Sequence, residues 1–560
     1  MASSTTVTTT PAKRWRVCEE PENTPAGDWP PLIGRLLAYR GVATAEAAQT
    51  FFQAAPATTP IPLPDLEIAT ERLAQACRAG ETVAVFGDFD VDGVTAAALL
   101  TESLTALGAR PIPYIPHRDS EGYGLNNDAV ESLHGLGATL LVTADCGTSS
   151  RDEIATARGH GMDVIVLDHH TVPETLPGAN AIVNPKRDPA VIEEPAACGV
   201  AYYVLLALHE ALDRPADTQA MLELVALATV CDLAPLTPGN RALLRDGLSA
   251  IARTKRPGLR ALLAISGSDP AHVDTETIGF TIGPRLNAAG RMAHARLAFD
   301  LLVSRDEEEA QELASQLHSL NRERQQATEA AMALADDLIA GDADAPLLML
   351  GHEELPAGIV GLVAARLADA YHRPAVIYQR SETESRASAR SITGFDITAA
   401  LRACPKNLFV RFGGHRMAAG FTAKNEHLPA IKQCLQSRAQ EELAGRDLTP
   451  EIVIDAELPL SELRSEEIRW LAKLAPHGVG NPQPVFLSRG VLVTERREVG
   501  RGGAHLRLKL RDGPVIWQAI AFGQRGEGIE AGGRADLVYT LSADNRGGLE
   551  LRVLDLRPGE

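Results

Sequence analysis

Acidic motifs follow apolar, strand-like runs four times in the first half of the chain, and this recurrence constrains the fold more than any other feature. The motifs are Asp88-Phe-Asp90-Val-Asp92, Asp145-Cys-Gly, Asp168-His169-His170 and Thr229-Val-Cys-Asp232. Helix-like stretches at 94–107 and 200–212 alternate with the apolar runs. In an open parallel sheet the carboxyl ends of the strands lie along one edge, where ligands bind. We therefore predict a parallel α/β sheet that gathers the four motifs in one crevice.

Such a crevice would hold about six carboxylates and two imidazoles. Like charges raise each other's pKa, so these acids could not all ionise without a cation. Hard oxygen ligands together with imidazole suit Mn²⁺ or Mg²⁺, and this many ligands fits two ions better than one. Taken alone, each group has an ordinary interpretation: Asp145 could cap a strand, and a single histidine could be a hydrogen-bonded core residue.

The first motif also has alternatives. A calcium loop of the EF-hand type needs helices on both sides and a Glu at its twelfth position. Here a strand-like run precedes Asp88 and the twelfth position is Leu99, which excludes that loop. Turn or helix-capping aspartates explain one acid more easily than three. Period-two spacing at a strand end would instead point Asp88, Asp90 and Asp92 to one side, as metal ligands.

Composition describes a globular protein and leaves nucleic-acid binding open. The 560 residues are too many for one core, so we expect three or four domains. The formal net charge is −19, whereas a nucleic-acid-binding protein is expected to show a basic footprint. Net charge, however, describes solubility and non-specific association, and an acidic protein can still hold DNA in a local groove of arginines.

Cysteine usage and hydropathy predict a cytoplasmic protein. The seven Cys include no Cys-x-x-Cys pair, which argues for a reducing compartment and against a disulfide framework or a zinc site. The sequence has no run of about 18 uncharged apolar residues, so we expect no membrane span. Residues 1–10 lack the basic start and apolar core of a signal peptide, and we expect a disordered tail there.

The order of patterns along the chain predicts two α/β lobes, a connecting helix and an all-β barrel. The helix, at about 305–340, is rich in charge and lacks Gly and Pro. The barrel follows from alternating strands with Gly-rich turns, and an OB-fold is the leading candidate. Its predicted strands are Ile452–Asp455, Gly490–Thr494, His505–Leu510, Ile516–Ile520 and Leu549–Leu554. The predicted segments are 1–60 (tail and a cap packed on the main domain), 61–265 (first lobe), 266–342 (connection with the long helix), 343–445 (second lobe) and 446–560 (barrel).

The four acidic motifs together resemble those of the DHH phosphoesterase superfamily, and the wider pattern resembles its members that degrade single-stranded DNA from the 5′ end. Further motifs extend the likeness over roughly residues 60–490: Glu121-Gly-Tyr-Gly-Leu125, Gly283-Pro-Arg-Leu-Asn-Ala-Ala-Gly-Arg291, Ser388-Ala-Arg-Ser391, Gly413-Gly-His415 and Gly480-Asn-Pro-Gln-Pro-Val-Phe486. The resemblance implies a DHH lobe and a DHHA1 lobe before the OB-fold. One departure is Leu355-Pro356, where the superfamily usually has Trp-His.

The resemblance also implies the metal ligands and the catalytic residues. The ligands of two Mn²⁺ ions, for which Mg²⁺ is an alternative, would be Asp88, Asp90 and Asp145 for one ion and Asp92, Asp145, His169 and Asp232 for the other. Asp168 would orient its neighbours, and His170 would face the scissile phosphate. Two ions about 3.5–4 Å apart can activate a bridging water and stabilise the attacking and leaving oxygens.

Arg285, Asn287 and Arg291 fit a phosphate clamp, because guanidinium binds phosphate in a bidentate way and glycine lets the backbone approach. The alternative is a set of solvated arginines that pair with surface acids at little gain.

By the same resemblance, the second lobe would bind the 5′ end of the strand. Ser388 and Arg390, with Arg118 from the first lobe, resemble a pocket for the terminal phosphate. Gly414 and His415 would lie on the substrate side of the cleft, although a tight turn is the alternative interpretation.

The resemblance implies an exonuclease that releases 5′-mononucleotides from single-stranded DNA in the 5′→3′ direction, in recombination and repair. The OB-fold would hold unpaired nucleotides, with Trp517 and Phe522 as stacking or core residues. We expect a monomer, without membrane contact, that works with a single-strand-binding protein and a RecQ-type helicase. The alternatives are a DHH phosphoesterase for short oligonucleotides, cyclic dinucleotides or pyrophosphate, which would lack residues 450–560, and an inactive DNA-binding scaffold, which would have lost ligands.

Overall fold

The computed structural model describes residues 13–53, 55–339, 344–524, 526–543 and 548–559. The tail predicted at 1–10 lies outside these residues. Across the described ranges, none of the helices combines the length and the apolar character that a membrane crossing needs. The N-terminal segment contains a short strand and two helices: β1 (Arg14–Val17), α1 (Pro31–Tyr39) and α2 (Ala45–Gln53).

The first lobe contains the predicted parallel sheet. Its elements are α3 (Leu66–Ala79), β2 (Thr82–Gly87), α4 (Val91–Ala106), β3 (Arg110–Tyr114), α5 (Asn127–Gly135), β4 (Leu140–Ala144), α6 (Arg151–Gly159), β5 (Asp163–Leu167) and β6 (Ala181–Val183). The strand order is β3-β2-β4-β5-β6, and every neighbouring pair is parallel. β2, β4 and β5 are apolar and almost fully buried, as expected for central strands covered on both faces. Their carboxyl ends therefore lie side by side.

The strand-helix repeat stops after β6, and the chain is helical up to the second lobe. The helices are α7 (Ala197–Ala211), α8 (Thr218–Cys231), α9 (Pro238–Ile251), α10 (Pro257–Ser266), α11 (Thr275–Thr277), α12 (Gly283–Met292), α13 (Arg296–Val303) and α14 (Glu307–Ile339). The prediction of a strand before Asp232 is thus wrong, because the residues in front of Asp232 form the last turn of α8. Its β-branched residues favour a strand locally, but α8 is buried between α4, α7 and α9, and this packing decides its structure.

The long helix α14 joins the lobes as predicted. The second lobe contains β7 (Leu348–His352), α15 (Val360–Tyr371), β8 (Ala375–Arg380), β9 (Glu384–Arg390), α16 (Ile397–Ala403), β10 (Arg411–His415), β11 (Ala418–Lys424) and α17 (Leu428–Leu443). Its sheet has the order β10-β11-β9-β8-β7, and β7 and β8 run parallel. α14 and α15 cover one face, whereas α16 and α17 cover the other. Because α14 and α15 pack on β7 and β8, the same face of β9, β10 and β11 is largely left for the first lobe.

A closed five-stranded barrel of the OB type completes the chain. Its region contains β12 (Glu451–Ile454), β13 (Ala456–Glu457), α18 (Ser465–Ala472), β14 (Phe486–Val499), β15 (His505–Asp512), β16 (Val515–Ala521), β17 (Arg534–Ala543) and β18 (Leu549–Pro558). The sheet order β14-β15-β16-β18-β17 closes through pairing of β17 with β14. The strand predicted at 452–455 is not part of the barrel, since β12 pairs with β1. β17, which the sequence analysis missed, takes the fifth place.

The N-terminal cap packs mainly on the barrel, and only its end packs on the first lobe, where the whole cap was expected. Leu32 and Leu36 of α1 are buried in the same cluster as Phe486 of the barrel. The apolar face of α1 needs a cover, and the barrel end beside α18 supplies it. Contact with the first lobe comes from Arg241, whose guanidinium lies 4.0 Å from the centre of the Phe51 ring, and from Ala57, which is buried in the first-lobe core and whose amide donates a hydrogen bond to Asp246.

The described residues contain one disulfide, which is not a disulfide framework but which the cysteine spacing did not indicate. Cys404, at the end of α16, is bonded to Cys434 in α17. The two residues are 30 positions apart and belong to no spacing motif, so only the packing of the two helices brings them together.

Candidate metal centre and inter-lobe cleft

Three aspartates extend the central strands of the first lobe by one residue each. Asp88, Asp145 and Asp168 follow β2, β4 and β5 directly, and the amides of Asp88 and Asp145 still bond to the neighbouring strand. All three residues are at most 3 % exposed. Buried carboxylates this close together need a counter-charge, because burial and mutual repulsion both disfavour their ionised forms.

The first group of candidate ligands consists of Asp88, Asp90 and Asp145, whose carboxylate oxygens lie within 4.8 Å of one another. Asp90 does not lie on a strand. It caps α4, and its Oδ1 accepts hydrogen bonds from the amides of Asp92 and Gly93, at 3.0 and 3.3 Å. Asp90 is therefore both a helix-capping residue and a member of the first group of candidate ligands.

The second group consists of Asp92, His169 and Asp232, again within 4.8 Å. Asp92 lies in the first turn of α4, and its carboxylate accepts hydrogen bonds of 2.7 and 2.8 Å from the amides of Ala197 and Cys198 at the start of α7. The expectation that Asp88, Asp90 and Asp92 point to one side of a strand is thus wrong. The change from strand to helix inside the motif sends Asp92 to a different group.

Asp232 reaches the crevice from a helix. It is the C-cap of α8, and Leu233 after it adopts a left-handed backbone with φ of 57°, which turns the chain away. Asp232 Oδ2 lies 3.6 Å from His169 Nδ1. Three strand ends and one helix end therefore form the crevice, where four strand ends were expected.

Asp145 connects the two groups. It belongs to the first group, and its Oδ1 lies 3.1 Å from His169 Nε2 of the second. Its backbone is left-handed, with φ of 64°, a conformation that Asp tolerates better than most residues. Strain of this kind concentrates at functional sites.

The electrostatics of the crevice fit bound cations. Burial first, and then the neighbouring carboxylates, raises the pKa of Asp88 and Asp145 well above the ordinary range. Burial, together with repulsion between them and Asp90, raises the pKa of Asp92 and Asp232 to about 7. Among the described residues, Asp88 Oδ1 is buried and has no hydrogen-bond partner. Oxygen and imidazole donors with unmet coordination suit Mn²⁺ or Mg²⁺.

Asp168 holds the histidine pair in place. Its Oδ1 accepts hydrogen bonds from the amides of His169 and His170, and its Oδ2 accepts one from the amide of Thr148. Burial opposes its charge, but the hydrogen bonds from His170 and Thr148 keep its pKa below the ordinary range. Asp168 is thus an ionised acceptor beside the crevice.

Tyr123 is a site residue that the sequence analysis did not select. Its hydroxyl lies 3.2 Å from His170 Nε2, and its ring lines the cleft between the lobes. The signal was present in the Glu121-Gly-Tyr-Gly motif, where glycines on both sides free the backbone. Gly122 and Gly124 have φ of 83° and 87°, in the left-handed region.

The second lobe faces the crevice with aligned side chains from three strands. In the antiparallel register Arg390 lies opposite Ala418, which lies opposite His415, and we call this set the first rung. Two residues further along, Ser388, Gly420 and Gly413 form the second rung. Directly opposed residues in a sheet point to the same face. Both rungs border cavities between the lobes, and the larger of these has a volume of about 870 Å³.

The first rung lies over the metal-ligand groups. The ring centres of His415 and His170 are 6.3 Å apart, with the rings almost parallel. Gly414, the residue before His415, has φ of 144° and lies so close to Ala418 that a Cβ atom would be 2.4 Å from the Ala418 carbonyl oxygen. The two predicted residues therefore lie within a β-hairpin, on the side of the cleft that faces the metal-ligand groups.

Four polar side chains converge where the second lobe meets the loop after β3. Arg390 Nη1 donates to Ser388 Oγ at 3.2 Å, and Arg118 lies over the Phe89 ring at 4.7 Å. Burial, together with Arg118, Arg324 and Arg390, lowers the pKa of Arg291 to about 9. Guanidinium groups crowded in this way repel one another, and a bound phosphate would offset that repulsion.

The predicted clamp divides into parts. Asn287 and Arg291 both line an adjoining cavity of about 460 Å³, and Arg291 also lines the inter-lobe cleft. Arg285 points elsewhere, and its Nη1 donates to the carbonyl of Thr281 at 2.6 Å. All three lie within α12, where Asn287 and Arg291, four residues apart, share a face and Arg285 lies on the opposite side. Gly290 does not approach a phosphate, because it packs where a Cβ atom would be 2.8 Å from the Phe89 carbonyl oxygen.

Leu355, at the position where the superfamily usually has Trp, is 1 % exposed and packs in the core beside α14 and α15.

In the barrel, Trp517 is a core residue at 8 % exposed. Phe522 is 52 % exposed, and the Arg552 guanidinium lies 5.5 Å from its ring centre. Of the two roles that the sequence leaves open, exposure favours stacking for Phe522 and a core position for Trp517.

Comparison with known proteins matches three family models to the three folded units. Residues 82–229 match the DHH family, N-terminal domain; residues 344–441 match the DHHA1 domain; and residues 454–554 match the RecJ OB domain.

Relatives extend the match over the whole chain. The single-stranded-DNA-specific exonuclease RecJ of Salmonella typhimurium is 36 % identical over 538 residues, which cover 91 % of this chain and 92 % of that protein. The crystal structure of Thermus thermophilus RecJ in complex with Mn²⁺ superposes with a TM-score of 0.82 at 32 % identity, over 98 % of this chain and 80 % of that one. The Mg²⁺ complex of the same protein gives 0.77 at 30 % identity, over 98 % and 79 %. The chain therefore belongs to the RecJ family of DHH/DHHA1 proteins.

Proposed function

We propose that this protein is a single-stranded-DNA-specific exonuclease that removes 5′-mononucleotides in the 5′→3′ direction. The observation that carries the proposal is the position of the first rung: Arg390 and His415 face two groups of metal ligands that Asp145 connects. Relatives named as single-stranded-DNA-specific exonucleases, and their Mn²⁺ and Mg²⁺ complexes, support the same activity.

The ligand groups fit two divalent cations, for which we propose Mn²⁺, with Mg²⁺ as an alternative. Asp88, Asp90 and Asp145 would hold one ion, and Asp92, Asp145, His169 and Asp232 would hold the other. Such a pair activates water and neutralises charge that develops on the scissile phosphate. The amides at the start of α7 would keep the Asp92 carboxylate in place, because they bond both of its oxygens.

His170 would act on the substrate and Asp168 would position it. The ionised Asp168 accepts a hydrogen bond from Nδ1–H of His170, which leaves Nε2 to face the cleft beside Tyr123 and His415. A histidine held in this way can bind the scissile phosphate in a fixed orientation. Water attacks the phosphorus, the bond to the 3′ oxygen breaks, and the leaving 3′ oxygen takes a proton.

This bond choice makes the reaction repeatable. The released mononucleotide keeps the 5′-phosphate that entered the cleft, and the shortened strand starts with a new 5′-phosphate. A pocket of Ser388, Arg390 and Arg118 would bind that group again, and only one end of a strand can supply it. Arg291, crowded by the same arginines, would add charge to this pocket.

The width of the cleft supports selectivity for single strands. His170 and His415 face each other across it with ring centres 6.3 Å apart, so the cleft is too narrow at this point to admit a duplex. The OB-fold would hold the strand further on by stacking and by basic side chains.

In the cell we propose a role in DNA recombination and repair, in the cytoplasm, as a monomer. A single-strand-binding protein and a RecQ-type helicase would supply unpaired DNA. Continuous release of 5′-mononucleotides would require a continuous supply of unpaired DNA.

The test uses one oligonucleotide with either a 5′-phosphate or a 5′-hydroxyl, labelled at its 3′ end, together with its duplex form. With Mn²⁺ we expect stepwise shortening from the 5′ end, faster on the phosphorylated strand, and no shortening of the duplex or in EDTA. The Asp152→Ala variant, which removes an exposed acid of α6, is the control. Cleavage of dinucleotides alone would instead favour a small-substrate phosphodiesterase.

A further inference from the structure

A third rung follows the first two on the same face of the second-lobe sheet. Arg386 lies opposite Thr422, and Thr422 lies opposite Arg411. On β9, Arg386, Ser388 and Arg390 occupy alternate positions, so their side chains share one face. All three members of the third rung line the same cleft as the 5′-phosphate pocket. Four residues of strand separate Arg386 from Arg390, which is about 14 Å at roughly 3.4 Å per residue.

The third rung lies at the solvent end of the cleft. The Arg386 side chain is 41 % exposed, and Arg411 is exposed as well. Arg386 Nη1 lies 4.0 Å from Asp119 Oδ1, in the first-lobe loop that also carries Arg118. Arg411 lies against Gly122 of the same loop. Two guanidinium groups thus span the mouth of the cleft, and one carboxylate is their resident counter-charge.

We propose that Arg386, Thr422 and Arg411 form a second phosphate subsite, which receives the 5′-mononucleotide product as it leaves the cleft. The proposal rests on the exonuclease activity proposed above. The cleft volume of about 870 Å³ is near the upper end for pockets that hold one small ligand, so room remains beyond a nucleotide bound at Arg390.

The position of the third rung selects the product as its occupant. From the metal-ligand groups the remaining strand would continue past Asp232 towards the cavity that contains Asn287. The third rung lies on the opposite side of the 5′-phosphate pocket, where the strand has no further phosphate. A released nucleotide, in contrast, would pass from Arg390 to the mouth along a single strand of the sheet.

Asp119 sets how tightly the subsite binds. A phosphate must displace this carboxylate from Arg386, so the nucleotide is held less tightly than by two unpaired arginines. Weak binding at the mouth suits release. Removal of the carboxylate should therefore strengthen phosphate binding, whereas removal of the guanidinium groups should abolish it.

The test is calorimetric titration of 5′-dTMP into the full-length protein with Mn²⁺ present, which needs no hydrolysis. We expect two dTMP sites in the wild type. The double variant Arg386→Ala/Arg411→Ala should keep one site, Arg390→Ala should lose the other, and thymidine without phosphate should leave the third rung empty. Asp119→Asn should tighten the weaker site several-fold. Arg402→Ala, an exposed arginine of α16 behind the same sheet, is the matched control and should keep both sites.

Two results would overturn the second subsite: a single dTMP site in the wild type, or two sites with unchanged affinity in the double variant. The variant Arg386→Lys/Arg411→Lys, which keeps the charge, should recover part of the binding and shows that a loss in the alanine variant is not misfolding. Failure of the exonuclease itself would appear separately, as absence of cleavage of 5′-phosphorylated DNA by the wild type.

Discussion

The Asp168 carboxylate lies 2.8 Å from the Nδ1 atom of His170, two residues further along the chain. Because Asp168 is ionised, it can only accept, so Nδ1 carries the proton. The same contact raises the pKa of His170 against the opposing effect of burial. A short contact within one motif thus sets both the orientation and the protonation of the ring that faces the cleft.

His169 and His170 should separate metal binding from turnover. His169→Ala removes a group that lies beside Asp145 and Asp232, so we expect weaker Mn²⁺ binding and lower kcat. His170→Ala should lower kcat with Mn²⁺ affinity nearly unchanged, because Asp168 and Tyr123 are its partners. Calorimetric Mn²⁺ titration beside steady-state cleavage measures both. Equal loss of metal in the two variants would contradict this division.

Asp145→Ala should have the largest effect of any single substitution. Its carboxylate belongs to the first ligand group and lies beside His169 of the second, so its loss should weaken both metal sites. We expect near-complete loss of cleavage, with the fold retained by circular dichroism. Asp152→Ala, which removes an exposed acid of α6, should behave like the wild type. Substantial cleavage by Asp145→Ala in Mn²⁺ would argue against a shared ligand.

Arg390→Ala should reveal the 5′-phosphate pocket. A guanidinium–phosphate contact in a partly dry pocket is charge-assisted and contributes about 1.5–3 kcal/mol. We expect kcat/KM on 5′-phosphorylated strands to fall roughly 10- to 100-fold. On 5′-hydroxyl strands the fall should be much smaller, because the partner is already absent. Equal losses on both strands would make Arg390 a general backbone contact.

Metal binding should weaken as the pH falls below about 7. Without metal, Asp92 and Asp232 have pKa values raised to about 7, so protons compete with the cation for both carboxylates. We expect the apparent Kd for Mn²⁺ to rise on the order of 10-fold or more between pH 7.5 and pH 6. Raised folded-state pKa values also mean that the metal-free protein should be more stable at pH 6 than at pH 8. Thermal unfolding in EDTA at the two pH values checks the sign; a higher Tm at pH 8 would contradict it.

Substitution of Phe522 should change the affinity for single-stranded DNA, whereas substitution of Trp517 should change stability. Phe522→Ala removes an exposed ring beside Arg552, and base stacking contributes about 1–3 kcal/mol per base, so single-strand affinity should fall with stability unchanged. Trp517→Ala leaves a cavity in the barrel core and should lower the free energy of unfolding by about 3–5 kcal/mol. Fluorescence anisotropy with labelled single-stranded DNA and urea unfolding separate the two. Loss of stability in Phe522→Ala would remove the contrast.

The sequence predicts those parts of the site that depend on local pattern. Asp88, Asp145 and Asp168 follow apolar runs that form adjacent parallel strands, and topology brings their carboxyl ends together. The OB barrel and the long helix α14 were likewise visible as alternation and as an unbroken charged helix.

Features that depend on packing between distant segments were not predictable in this way. Asp232 follows a run that looks like a strand and is buried as a helix. Arg285 and Arg291 share one motif, but the helical period turns only Arg291 to the cleft. β17 was overlooked among the Gly-rich turns of the barrel. The pairing of Cys404 with Cys434 depends on how two helices meet, which no spacing rule encodes.

The pairing of β1 with β12 has a consequence for synthesis of the chain. Arg14 is aligned with Glu451, so the first described strand has no partner until more than 400 further residues have left the ribosome. Until then the apolar side chains of α1, Leu32 and Leu36 among them, lack the barrel that covers them. A nascent or truncated chain without the barrel would thus expose the apolar face of its N-terminal helix to chaperones and proteases. Incomplete nucleases would then be degraded before they act on DNA.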